Sequence, residues 1–118
     1  MEVEGMNVTV DVIEHREGAQ STTLILLPGL VHYGPLVLRN GLSASNELLD
    51  WMTTTVNGSL TRRNLSMIVL NTEGSEQARF NFYDAWPSSW SLNKLDSLGL
   101  GPIVEKLVIQ YEKFERAN

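Results

Sequence analysis

Met6-Asn7-Val8-Thr9-Val10-Asp11-Val12 places an apolar side chain at every second position, the period of a strand with one buried face. Glu14-His15-Arg16-Glu17-Gly18 reads as the polar turn that closes it. Two further β-prone runs are cut short by residues that break regular structure. Thr22 to Leu27 ends at Pro28-Gly29, and Leu36-Val37-Leu38-Arg39 lies between Gly34-Pro35 and Asn40-Gly41. Met67-Ile68-Val69-Leu70 is a short, wholly apolar strand. Asn71-Thr72-Glu73-Gly74-Ser75 then reads as a hairpin connection to a partner in which Phe80 and Phe82 alternate with Arg79, Asn81 and Tyr83. Trp86-Pro87-Ser88-Ser89-Trp90 interrupts that partner, because proline has no N–H to give to a ladder.

One segment has a different period. Leu48, Leu49, Met52 and Val56 fall on one helical face, Ser43 or Ser45 can cap it, Glu47 and Asp50 suit its positive end, and Gly58 can close it. Thr53-Thr54-Thr55 is poor helix chemistry, so this helix depends on packing. Near the C-terminus, Ile103, Val104, Leu107, Val108, Tyr111 and Phe114 fit a helical stripe, while Leu107, Ile109 and Tyr111 also alternate as a strand. Periodicity alone prefers the helix. No internal repeat or low-complexity tract occurs, and the reading is one compact β-rich domain with a single embedded helix.

The chemistry is defined by what is missing. A chain of 118 residues holds one core. With no cysteine, disulfides, thiolate metal sites and cysteine nucleophiles are excluded. Net charge is −5, and among nine scattered Lys and Arg only Arg62-Arg63 are adjacent. A basic face for sequence-specific nucleic-acid binding is therefore absent. His15 and His32 sit near turns, and with Glu14 and Glu17 nearby they form no metal-ligand spacing. Gly99-Leu100-Gly101-Pro102 is a loop rather than a phosphate cradle, since proline stands where N–H groups are needed. Asp84, Asp96 and Glu105 show no catalytic partnership. No apolar run approaches the ~20 residues of a bilayer span. The aromatic cluster Phe80, Phe82, Tyr83, Trp86 and Trp90 reads as core packing with a tryptophan-anchored turn, or as a subunit interface.

Several segments resemble, in order and spacing, the phage tail tube (gp19-like) family. Val12-Ile13-Glu14-His15-Arg16-Glu17-Gly18 is similar to its V-I-E-x-R-E-G opening, and Leu27-Pro28-Gly29-Leu30-Val31-His32-Tyr33-Gly34 to its L-P-G-L-x-K-Y turn. Arg39-Asn40-Gly41 follows. Glu47-Leu48-Leu49-Asp50-Trp51 resembles the start of the family helix and Arg62-Arg63-Asn64 the entry to the next strand. Phe80 to Trp90 is similar to W-N-F-x-N-A-W-P-x-K-W. Leu24-Ile25-Leu26, Lys94-Leu95-Asp96-Ser97 and Gly101-Pro102 depart from the family pattern.

The resemblance implies a mainly β fold: a small antiparallel β-barrel or sandwich, tail-tube or Hcp-like, with one flanking α-helix around residues 45–57. It implies one domain over 1–118 that lacks the family's first N-terminal strand, with Met1 to Met6 standing where that strand ends; the missing strand would leave an open sheet edge for a neighbour to cover. It favours a strand from Ile103 to Tyr111, and we follow it over the helical stripe. It also implies a non-enzymatic structural subunit without cofactor, forming hexameric rings that stack into a tube. Its partners are then itself, sheath and baseplate proteins, and DNA or effector cargo. Its place is a virion tail or tail-like injection particle assembled in the bacterial cytoplasm. Arg39, Trp51, Arg62, Arg63, Trp86, Pro87 and Trp90 are the candidate interface or family-motif residues. The alternatives are a baseplate-proximal or tube-capping ring of the same fold, and a small β-barrel ligand-binding or enzyme domain.

Overall fold

The computed structural model describes residues 2–16, 18, 23–41, 46–94 and 103–117. In chain order the elements are β1 (Glu2–Glu4), β2 (Asn7–Arg16), β3 (Leu24–Gly34), β4 (Leu36–Gly41), α1 (Glu47–Val56), β5 (Arg63–Leu70), β6 (Glu76–Lys94), β7 (Ile103–Gln110) and β8 (Lys113–Arg116). The expected caps Ser43 and Ser45, Asp96 and the loop 99–102 lie outside the described residues.

The body is an antiparallel sheet in the order β1-β4-β7-β6-β5, curled into a half-barrel. Strand β8 continues along the edge of β6 that β7 occupies, with Trp86 opposite Gln110 and Tyr83 opposite Lys113. Phe82, Leu107, Ile109, Leu36 and Ala85 fill the concave side, joined by Tyr111 and by Trp51 from α1.

The stretch Ile103 to Gln110 is a strand, with Glu105, Leu107 and Ile109 buried and the residues between them less so. It lies between β4 and β6, so ladders on both edges satisfy its backbone. That outweighs a helical stripe which would have had no partner of its own. The fold, mainly β with one helix, is as expected.

Helix α1 tolerates its threonine run by back-bonding. The Thr53 hydroxyl donates to the Leu49 carbonyl at 2.8 Å and the Thr54 hydroxyl to the Trp51 carbonyl at 2.7 Å, which satisfies the side chains without leaving the helix. Gly58, at φ +83°, ends it.

Three expected breaks are not breaks. Residues 14–16 remain in β2 rather than turning, and β3 passes straight through Pro28-Gly29. Strand β6 runs through Trp86-Pro87 to Lys94. In each case of proline the ladder absorbs it at a bulge, where register shifts between Val10 and Val12 and again between Pro87 and Ser89.

The second sheet contains only β2 and β3. Its ladder shares one register with β1 and β4: Glu4 stands opposite Val37 and Asn7 opposite Gly34. The four strands thus form one long ribbon, jointed at Gly5 and Met6 on one strand and Pro35 on the other. Gly5 holds φ +90°, and a Cβ there would lie 2.4 Å from the Pro35 carbonyl oxygen. Beyond the joint the ribbon leaves the body as an arm. The radius of gyration is accordingly 19.8 Å, against roughly 13–14 Å for a compact chain of this length.

Candidate assembly surface

The arm carries the largest departure from the sequence reading. Cross-strand pairing puts Val8 with Tyr33, Val10 with Val31, Val12 with Pro28 and Glu14 with Leu26 on one face. Alternation predicts a buried face for β2, yet every residue of that strand is exposed. Val8, Val10, Val12, Leu24, Leu26 and Val31 are between 43% and 66% exposed. An apolar ribbon of this extent lacks a partner among the described residues. The opposite face is polar near the body, where His32 Nε2 and Asp11 Oδ2 approach to 3.0 Å, and apolar toward the tip at Ile13 and Leu27.

The base of the arm is firmly held. The Tyr33 ring meets Phe114 edge-on with centroids 5.5 Å apart and Tyr111 at 5.8 Å. The Tyr111 hydroxyl donates to the Gly34 carbonyl at 2.5 Å, and burial raises its phenol pKa above the ordinary 10.0. A Cβ at Gly34 would fall 2.4 Å from the Asn7 side-chain amide, which would have to move aside.

The half-barrel does not close. Strands β1 and β5 end the sheet path, each with one edge unpaired among the described strands. Between them opens an apolar groove of about 390 Å³ lined by Val3, Leu38, Leu65, Met67, Ile68 and Phe82.

The residues singled out from sequence are dispersed. Arg39 pairs with Glu4 across β1 and β4. Arg62 pairs with Glu112 at 2.8 Å on the surface. Arg63 lies 5.2 Å from the centroid of Trp51, whose indole N–H donates to the Thr61 carbonyl at 3.0 Å. Trp51 and Pro87 are buried. The bulge after Pro87 splits the tryptophan pair: Trp86 stands opposite Gln110 and Trp90 opposite Leu107, on opposite faces of β7. The Trp90 indole N–H donates to Glu105 Oε2 at 2.8 Å, which gives that buried carboxylate its partner. The exposure of the arm's apolar face and the anchoring role of Tyr111 were missed. The signal for the face lay in Leu24-Ile25-Leu26-Leu27, which a strand must spread over both of its faces.

Among the described residues no three His, Cys, Asp or Glu converge as metal ligands, and no helix is long and apolar enough to cross a membrane. Residues 1–115 match the T4-like virus tail tube protein gp19 family. None of the curated proteins matches the sequence. Among solved structures, the chain is similar to one in the anti-feeding prophage baseplate, at 24% identity and TM-score 0.83, covering 98% of this chain and 78% of that one. It is similar to one in the PVC extracellular contractile injection system sheath–tube complex, at 20% and 0.84, covering 98% and 78%. It also resembles the anti-feeding prophage tube-terminating cap, at 17% and 0.86, covering 100% and 79%.

Proposed function

The chain belongs to the T4-like virus tail tube protein gp19 family, a family of structural rather than enzymatic proteins, and from that premise we propose that it is a self-assembling tube subunit. In this reading the chain is one domain. Six copies close into a ring, rings stack, and the resulting tube conducts DNA or protein effectors inside a sheath seated on a baseplate. Assembly takes place in the bacterial cytoplasm, before the particle acts. Of the candidate interface residues, the exposed Arg62 is the best placed to meet a neighbour, and Trp51 and Pro87 serve the subunit's own core.

The observation that carries this reading is the exposed apolar arm, which has no partner among the described residues. Full burial of a Val or Leu side chain stabilises by about 1.5–3 kcal/mol, so covering the exposed half of six such side chains yields roughly 5–9 kcal/mol. Association itself costs about 4–15 kcal/mol in lost freedom. A single arm contact therefore roughly breaks even. A closed ring, in which every subunit both gives and receives an arm, gains the extra contact that tips the balance.

A second reading is a tube-capping ring that does not polymerise, supported by the fold likeness to the prophage cap. Electron microscopy and sedimentation of the purified protein separate the two. Long tubes support the shaft and isolated six-fold rings the cap. A strictly monomeric particle at high concentration overturns both.

A further inference from the structure

We propose that Asn57-Gly58 is a self-acting modification site, where the folded chain converts its own asparagine to aspartate and isoaspartate. The chain holds two Asn-Gly pairs, Asn40-Gly41 and Asn57-Gly58. Glycine matters because its amide nitrogen, with no side chain beside it, can swing onto the preceding side-chain amide. The Gly58 nitrogen attacks Asn57 Cγ, the new C–N bond closes a cyclic imide, and Nδ2 leaves as ammonia with the Gly58 proton. Water then opens the ring. Cleavage at Cγ gives aspartate, and cleavage at the Asn57 main-chain carbonyl gives isoaspartate. Water is the sole co-reactant, and nothing is oxidised or reduced.

The local structure puts little in the way of this step. Asn57 directly follows α1, with φ −80° and ψ 6°. It is exposed, and its side-chain amide has no hydrogen-bond partner among the described residues. Gly58, at φ +83°, has open space around it. Ring closure needs ψ of Asn57 to rotate until the Gly58 nitrogen lies beside Cβ, so the last turn of α1 must first let go. Two bonds hold it: Gly58 N–H donates to the Thr55 carbonyl at 3.1 Å and Ser59 N–H to the Thr54 carbonyl at 2.9 Å. Releasing them uncovers little, since Val56 and Leu60 are already 71% and 47% exposed, and helix ends open at small cost. Asn40 is held otherwise. It pairs with Glu105 and Gly41 with Val104, so the same rotation there peels β4 off β7 beside the buried Glu105. The product bears on α1. Its carboxylate stands at the negative end of the helix, whose last turn has no basic residue to offset it. Isoaspartate also adds a methylene to the main chain, which takes both closing bonds out of register.

The purified protein is incubated at mildly alkaline pH, digested and read by mass spectrometry, with isoaspartate detected by its methyltransferase. The Asn57 peptide should gain one mass unit and carry isoaspartate, at a rate at least about five-fold above that of Asn40. In strong urea the two pairs should react at similar rates. Asn57→Gln should remove the product at that site and leave Asn40 unchanged. Amide exchange at Gly58 and Ser59 should quicken in the aged protein, while exchange in β4, β6 and β7 should not. Equal slowing of both sites relative to urea would mean that the reaction waits for global unfolding, and overturns the proposal. Modification of Asn40 before Asn57 overturns it too, since the helix end would then be the tighter of the two. An Asn57 that stays intact in the folded protein, while the urea-treated chain reacts, is a third refutation.

Discussion

Replacing Val10 and Val31 together by threonine separates what the arm does for its own chain from what it does for a neighbour. The two residues stand directly opposite each other on the apolar face and are 45% and 53% exposed. Threonine keeps their shape and strand preference. In the isolated chain the exposed hydroxyls stay in water, and the cost should remain within about 0.5 kcal/mol per site. In an assembled contact each site loses a buried methyl, worth ~0.8 kcal/mol. Each also buries a hydroxyl, at ~1–3 kcal/mol if unpartnered. With half of that realised at a partly wet edge, the pair costs roughly 2–4 kcal/mol per contact, or about 30- to 700-fold in association constant.

Urea unfolding below the assembly threshold reads the first quantity, and the threshold concentration for sedimenting particles reads the second. The expected outcome is an unchanged unfolding midpoint with a threshold raised at least ten-fold. A loss above about 1.5 kcal/mol in the isolated chain, where surface changes cost far less, would mean that the face packs within the subunit. An unchanged threshold would remove the arm from the interface altogether.

Three further outcomes are expected. Phe82→Ala empties a site that is 1% exposed, against Tyr111 at 5.0 Å and Phe114 at 5.9 Å; it should cost ~3–5 kcal/mol of a total near 6–18 kcal/mol, and a urea midpoint showing under ~1.5 kcal/mol would refute its central place. Gly5→Ala forces a side chain into the left-handed region and against the Pro35 carbonyl; about 1–3 kcal/mol of destabilisation is expected, with faster amide exchange in β2 and β3, and wild-type exchange would show that the joint is not tight. The raised phenol pKa of Tyr111, due first to burial, means the unfolded chain ionises first: the linked stability is whole below pH 10 and is lost as pH climbs through the folded value. Tyr83 shifts the same way, through its hydrogen bond to Glu115. Tyr111→Phe should therefore cost ~1 kcal/mol at neutral pH and flatten, without abolishing, the alkaline decline in urea midpoint, and a decline of unchanged steepness would refute that share.

Most strands were legible because alternation and apolar runs report local geometry, and β6 and β7 bury the faces their patterns announce, whereas the apolar run of β5 leaves Ile68, Val69 and Leu70 exposed. Phe80 and Phe82 point into the half-barrel as their alternation requires. Prolines misled, since Pro28 and Pro87 look like terminators when considered alone. Neither stops its strand because a bulge sits beside it, and a bulge depends on the partner's register. The C-terminal strand was hidden for the same reason: β4 and β6 decide it from outside. Of the candidate surface, periodicity gave the apolar face of β2 but not its destination. Period tells which side chains share a face, and only the path of the neighbouring strands tells whether anything covers that face.

An exposed apolar ribbon invites indiscriminate pairing, so restraint must be built into the same arm. Two devices are visible. At the bulge, Gly29 packs so closely that a Cβ would lie 3.2 Å from the Asp11 and Ile13 side chains, and the added twist spoils the flat edge that open-ended stacking needs. Farther out, Glu14 and Arg16 interrupt the apolar face beyond Val12, opposite Leu26 and Leu24. A partner strand laid flat along the whole arm would have to desolvate both charges. A partner meeting only the stretch from Val8 to Val12 and Val31 would not. The arm is thus suited to a short contact near its base rather than to pairing along its whole length with another arm.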